Sequence, residues 1–211
     1  MISKMKQYFY NPLCFNCGSF FVESHLFCDT CFENEIEKRI TFKKRQDHFY
    51  LFDWKPGESD LISGLVYQLK SDQCIKALEF YACQLAQFLD NDFDLIVPLP
   101  GSKKSSVHSQ ILARQISKYL GVPCLDILKK ASHSQAQKEK TAAEREQTAI
   151  ELKTSFPHEQ FTKSNKAKLK VLYVDDILTT GHTYRSSRQA LNLNESAWIA
   201  TVFYRPSHQE T

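Results

Sequence analysis

Apolar residues follow two rhythms along this chain. Leu61, Ile62, Leu65, Val66 and Leu69 fall at helical spacing, and Ile75, Leu78, Ala82, Leu85 and Leu89 repeat it after Asp72, a fitting N-cap. A third helix is predicted from Val107, Ile111, Leu112, Ile116 and Tyr119, stopped by Gly121-Val-Pro123. Between these lie short runs of strand formers: His48–Trp54 closed by Pro56-Gly57, Phe93–Val97 emptying into Pro98-Leu-Pro100, Leu169–Val174, and Ala197–Tyr204. A helix over Thr183–Leu193 joins the last two. Strands that alternate with helices predict an α/β fold, a doubly wound and mostly parallel sheet that binds ligands beyond the carboxyl ends of its strands. Two stretches break the rhythm. Residues 1–40 are aromatic and cysteine-bearing with no clean period, which puts a boundary near residues 40–50. Residues 129–168 are polar and nearly strandless apart from a short helix expected about Thr141–Leu152, as befits a lid or a disordered loop.

Composition narrows the class. With 211 residues and 42% hydrophobic content, the chain can bury a core of one ordinary domain plus a small appendage. No apolar run reaches the ~18–20 residues of a membrane span, and no signal-peptide core follows the basic N-terminus, so the expected address is cytoplasmic. There, the seven cysteines should be reduced, and clustered ones point to metal rather than to disulfides. The net charge of +3 hides an asymmetry: residues 101–170 hold 14 Lys and Arg against 6 Asp and Glu, a balance of +8, so the rest of the chain sums to −5. Such a basic middle attracts phosphates, of a nucleotide-like ligand or of a nucleic acid, unless it is simply a solvated lysine-rich loop.

The densest chemistry follows Val171-Leu-Tyr-Val174. This apolar strand runs into Asp175 and Asp176, and then into Thr179, Thr180, Gly181, His182 and Thr183, where a helix begins. A helix N-terminus offers free N–H groups and a positive dipole end to a phosphate. Gly181 lets the backbone come close, and the threonine hydroxyls add donors. The two carboxylates can accept from ribose hydroxyls and help hold Mg²⁺ through water. A strand followed by an N-cap-rich turn would account for one threonine or one aspartate, not for the set. A Walker-B reading of the apolar strand and Asp-Asp fails because the chain has no G-x-x-x-x-G-K-[S/T].

A second cluster is Cys14-x-x-Cys17 with Cys28-x-x-Cys31. Two such knuckles offer four thiolates to a tetrahedral, structural Zn²⁺, with Gly18 suited to the tight turn after the first. A segment this poor in core residues would draw its folding energy from the metal. His25 reads as a bystander, and Cys74, Cys83 and Cys124 read as core.

On these residues the chain resembles a type I phosphoribosyltransferase, whose loop for 5-phosphoribosyl-1-pyrophosphate (PRPP) matches Asp175–Thr183. More narrowly it resembles the ComF family of competence proteins, over nearly its whole length. Asp94-Leu-Ile-Val-Pro-Leu-Pro100 with Lys103 and Lys104 resembles that family's Val-Pro-Val-Pro strand and pyrophosphate loop. Its Arg-Gly-aromatic-Asn-Gln is replaced here by Ser106-Val-His-Ser-Gln110, of which only Gln110 matches. Lys130 stands for an arginine at the start of the family's lid. Gln137 and Thr141-Ala-Ala-Glu-Arg145 continue that lid, and Thr148 stands where asparagine is usual.

The resemblance implies a four-cysteine zinc segment over 1–45 and a phosphoribosyltransferase-like domain over 46–211, with 129–168 as its lid. It implies Mg²⁺ with PRPP, the 5-phosphate on Thr179–Thr183 and the ribose on Asp175 and Asp176. Arg145 is then either the mobile cation over the reaction centre or a surface charge paired with Glu144 or Glu146. Three roles follow: a PRPP-binding protein handling incoming single-stranded DNA with DNA-uptake proteins during natural transformation, an active transferase on an unidentified base or amine, or a PRPP-sensing regulator without turnover.

Overall fold

The computed structural model describes residues 13–20, 22, 26–40, 43–57, 60–69, 75–90, 92–101, 107–131, 150–153, 169–192 and 195–205. Its centre is a five-stranded sheet. Strand β1 (Lys43–Arg45) is an antiparallel edge on β2 (His48–Asp53). Parallel pairing then continues from β2 to β7 (Glu195–Tyr204), from β7 to β6 (Leu169–Leu178), and from β6 to β3 (Leu95–Pro98). The longer helices among the described residues are α1 (Leu61–Leu69), α2 (Ile75–Ala86), α3 (His108–Leu120) and α4 (His182–Leu191). A separate ribbon pairs β4 (Leu128–Lys130) with β5 (Ile150–Leu152), antiparallel.

Alternation along the strands explains why helices cover both faces. Successive residues point to opposite sides. Ile96, Leu172, Val174, Ala200 and Val202 join one buried cluster with residues of α1, α2 and α3. Leu95, Val97, Val171, Tyr173, Ala197 and Ile199 join another with Tyr184 and Leu191 of α4 and Leu128 of the ribbon. The sheet is therefore doubly wound, as its pattern predicts. Gly121 ends α3 in the left-handed conformation (φ 67°) and donates to Ser117 C=O at 2.9 Å, which is the stop expected of it.

Three local expectations change. Strand β6 does not end at Val174 but runs on through both aspartates to Leu178, because β7 alongside it is long enough to pair with Asp175, Ile177 and Leu178. Tertiary pairing overrides the poor strand preference of aspartate. Residues 150–152 form a strand rather than the end of a short helix. Leu128 lies opposite Leu152 and Lys130 opposite Ile150, and between them Lys129 faces Glu151 at 3.7 Å; the expected helix over 141–149 lies outside the described residues. Finally, the cysteine segment is less poor in core than its sequence suggests. Val22, Leu26, Phe27 and Ile36 are buried in the same cluster as α1 and α2. Phe27 and Phe32 meet Phe80 of α2 edge-on, at 5.7 and 6.0 Å between ring centres. Cys83 and Cys124 are only partly buried, and Cys74 and His25 lie outside the described residues.

Candidate functional site

The site is built where β6 leaves the sheet. Asp175 shares a face with Tyr173, on the ribbon and α4 side, whereas Asp176 shares a face with Val174, on the α3 side. Each carboxylate accepts from the next backbone N–H: Asp175 Oδ1 from Asp176 at 2.9 Å and Asp176 Oδ1 from Ile177 at 2.8 Å. They open onto a cleft of about 170 Å³ lined by Pro100, Gly101, Ser109, Lys130, Ile177 and Thr183 as well. Asp175 keeps some surface toward that cleft, yet burial and the neighbouring Asp176 charge push its carboxyl well above the usual range, with Lys130 acting the other way. This is an environment that welcomes a cation, and two adjacent carboxylates are a suitable donor set for Mg²⁺ held beside phosphates.

A second hollow of about 40 Å³ shares Asp175, Ile177 and Thr183 with it and is lined also by Thr179, Thr180, Gly181 and His182. Gly181 takes a left-handed conformation (φ 68°) that favours glycine, and it caps α4, whose first turn closes with Arg185 N–H on Gly181 C=O at 3.0 Å. The N–H groups before Arg185 have no intrahelical partner, so the threonine loop and the helix start together form an anion cradle. A Cβ at Gly181 would lie 3.2 Å from the Arg185 guanidinium. This places a cation beside the cradle that the sequence reading did not single out, although its i+4 spacing from the glycine makes it findable.

The loop after β3 is tied to the same place. Leu99 N–H donates to Val174 C=O at 2.9 Å, and the Ser109 hydroxyl donates to Leu99 C=O. These bonds bring the start of α3 against β6 and set His108 Nδ1 3.6 Å from Asp176 Oδ2. Lys130 of β4 lines the cleft and His108 stands beside Asp176; motif reading gave neither a role of its own. Lys130 came in only as a replacement for arginine, and His108 only as a departure from pattern. Lys103, Lys104 and Arg145 lie outside the described residues.

The four cysteines do converge. Cys14, Cys17, Cys28 and Cys31 place their sulfurs within 4.8 Å of one another, and Cys17 and Cys28 are 3.7 Å apart. Tetrahedral Zn²⁺ with Zn–S bonds of ~2.3 Å requires sulfurs ~3.8 Å apart, so the cluster fits that ion. Gly18 makes the expected tight turn (φ 72°), with its N–H on Cys14 C=O at 2.9 Å. Against its burial, backbone N–H groups of Cys17, Cys28 and Asn16 bring Cys14 down to about 6. Cys31 accepts from Asn16, yet burial and the other sulfurs push it up to about 12. Four crowded thiols are poorly served without a cation.

Residues 69–211 match the model of the phosphoribosyl transferase domain. The chain belongs to that family. Among solved structures it is similar to the adenine phosphoribosyltransferase of Leishmania tarentolae, at 10% identity over 78% of this chain and 94% of that one (TM-score 0.40). It is also similar to that of Thermoanaerobacter pseudethanolicus, at 17% identity over 82% and 99% (TM-score 0.40). A protein of Neisseria gonorrhoeae with bound ppGpp is similar at 12% identity over 63% and 68% (TM-score 0.37). No curated protein is similar enough to count as a relative. Among the described residues no helix is long and apolar enough to cross a membrane.

Proposed function

We propose that this chain binds PRPP with Mg²⁺ in the cleft at the end of β6, as a phosphoribosyltransferase-like protein of the ComF kind acting on incoming single-stranded DNA. The observation that carries the ligand is that two neighbouring hollows share Asp175, Ile177 and Thr183: the carboxylate pair lines one, the threonine loop and the start of α4 the other. The 5-phosphate sits on Thr179–Thr183 beside Arg185, and the ribose hydroxyls donate to Asp175 and Asp176. Lys130 faces the pyrophosphate, and Lys103 and Lys104 add the charge that the resemblance assigns to them. Mg²⁺, when bound with the ligand near Asp175 and Asp176, neutralises pyrophosphate charge. The division into a zinc segment (1–45) and a binding domain (46–211) with a lid (129–168) carrying Arg145 belongs to the same reading. A paired ribbon within that span, with Lys130 lining the cleft, also favours turnover as a second reading, in which the lid excludes water while an amine or base attacks C1 and pyrophosphate leaves.

Ribose 5-phosphate should compete with PRPP in a thermal-shift titration, since the cradle holds the 5-phosphate. Failure to compete would remove Thr179–Thr183 from the site. Thr179→Val should weaken PRPP about tenfold by replacing a phosphate donor with a methyl at nearly constant volume. Pyrophosphate release, screened across bases and amines, separates turnover from binding alone.

The charge balance of residues 101–170 supports the DNA role. Single-stranded DNA should bind with a steep salt dependence, and reversing Lys103, Lys104, Lys138 and Lys140 should flatten the slope in a fluorescence-anisotropy titration. No binding at low salt would turn the reading toward a sensor or a transferase.

A further inference from the structure

Asp176 is not free to turn. Its Oδ1 accepts from Ile177 N–H at 2.8 Å, and its Oδ2 faces His108 Nδ1 at 3.6 Å. Both side chains are mostly covered, at 18% exposure for His108 and 23% for Asp176. His108 itself is held from behind. It is the first residue of α3, and its neighbour Ser109 is buried with its hydroxyl on Leu99 C=O, while Leu99 N–H is on Val174 C=O. The start of α3 that carries His108 is thus tied to the strand that carries the carboxylate its ring faces. Asp175 shares the cleft lining with Lys130, whose charge acts on it.

We propose that His108 is a positioning residue for the ligand, holding the Asp176 carboxylate in the orientation that receives a ribose hydroxyl. The proposal rests on the PRPP reading of the cleft. A separation of 3.6 Å is beyond a good hydrogen bond, and contacts of this kind close when a ligand fills the site. For the contact to serve, Nδ1 must carry the proton, and the bond that one ring nitrogen makes sets the tautomer. Ser106–Ser109 depart from the resembled family's pattern, and within that departure His108 stands against Asp176.

Three substitutions separate position from mere volume. In His108→Asn the amide nitrogen stands close to where Nδ1 stood. In His108→Gln it stands near Nε2 instead, and His108→Phe keeps the ring without a donor. Calorimetry with Mg²⁺ and PRPP should show the Phe and Gln variants about tenfold weaker, because a donor to a charged acceptor is lost, and the Asn variant close to wild type. Thermal midpoints of the free proteins check that each variant is folded. Nitrogen NMR of the free wild type should find the proton on Nδ1 of His108, shifting to Nε2 in Asp176→Ala. The proposal is overturned by an unprotonated Nδ1 in the wild type, by a tautomer indifferent to Asp176→Ala, or by a Phe or Gln variant that binds within twofold of wild type. Failure of the wild type itself to bind PRPP would overturn the ligand reading and leave the His108–Asp176 pair a contact without a ligand role.

Discussion

Freshly purified protein should contain one Zn²⁺ per chain, and removing it should cost the N-terminal segment its fold. Structural zinc in small peptides contributes about 10–16 kcal/mol of apparent binding free energy at neutral pH, most of which is folding free energy. Here the segment has apolar anchors besides the metal, since Phe27, Phe32 and Ile36 pack onto α2 and the surrounding core. Loss of the metal would therefore be felt beyond the cysteines. Unseating these side chains uncovers Phe80 and the α1 surface, where Phe15 lies within reach of a Cβ at Gly64 (3.4 Å). Cys14→Ser with Cys17→Ser should abolish zinc in elemental analysis and lower the thermal midpoint by at least about 5 °C. A variant that melts with the wild type, or a disulfide among the four cysteines in protein purified under reducing conditions, would contradict this account.

The second large effect belongs to the carboxylates, and it splits binding from stability. Asp175→Asn with Asp176→Asn removes the charge from two ribose acceptors and should weaken Mg²⁺-dependent PRPP binding more than about a hundredfold. The same variant should be no less stable than wild type without ligand. Asp175 has its carboxyl raised by burial and by Asp176, so the folded protein holds that proton more tightly than the unfolded chain does. The resulting contribution to stability is present below the ordinary aspartate range near ~4 and is lost as pH rises from there through the raised folded value. Asp175→Asn should remove that part of the pH dependence and stabilise the free protein at neutral pH. Chemical denaturation at pH 4 and pH 7 reads both effects. A double variant clearly less stable than wild type at pH 7 would mean that the aspartates are structural.

Much of this was legible in the sequence because each signal was local. The strand-to-helix run from Val171 to Thr183 and the convergence of the two cysteine knuckles are visible from spacing alone, and α1, α2 and α3 from the period of their apolar residues. What stayed hidden depends on contacts between distant segments. Asp175 and Asp176 read as the start of a loop, because nothing nearby reveals that β7 pairs with Asp175, Ile177 and Leu178. Ile150–Leu152 is too short to declare itself a strand until Leu128–Lys130 lies opposite. His108 looked like a lost motif position, since its place beside Asp176 depends on bonds from Leu99 to Val174 and from Ser109 to Leu99. The buried anchors of the cysteine segment were hidden for the same reason: Phe27 and Ile36 become core only when α2 packs over them.

Calorimetric titration of the wild-type protein with PRPP, with and without Mg²⁺, tests the central claim most directly. One saturable site per chain is predicted, dependent on Mg²⁺. At a hundredfold excess over Kd the same ligand should add ~2.7 kcal/mol to stability in a parallel melt. Absence of binding heat and of any shift in the melt, or equal binding by the wild type and the Asp175→Asn, Asp176→Asn double variant, would contradict a PRPP site at the end of β6.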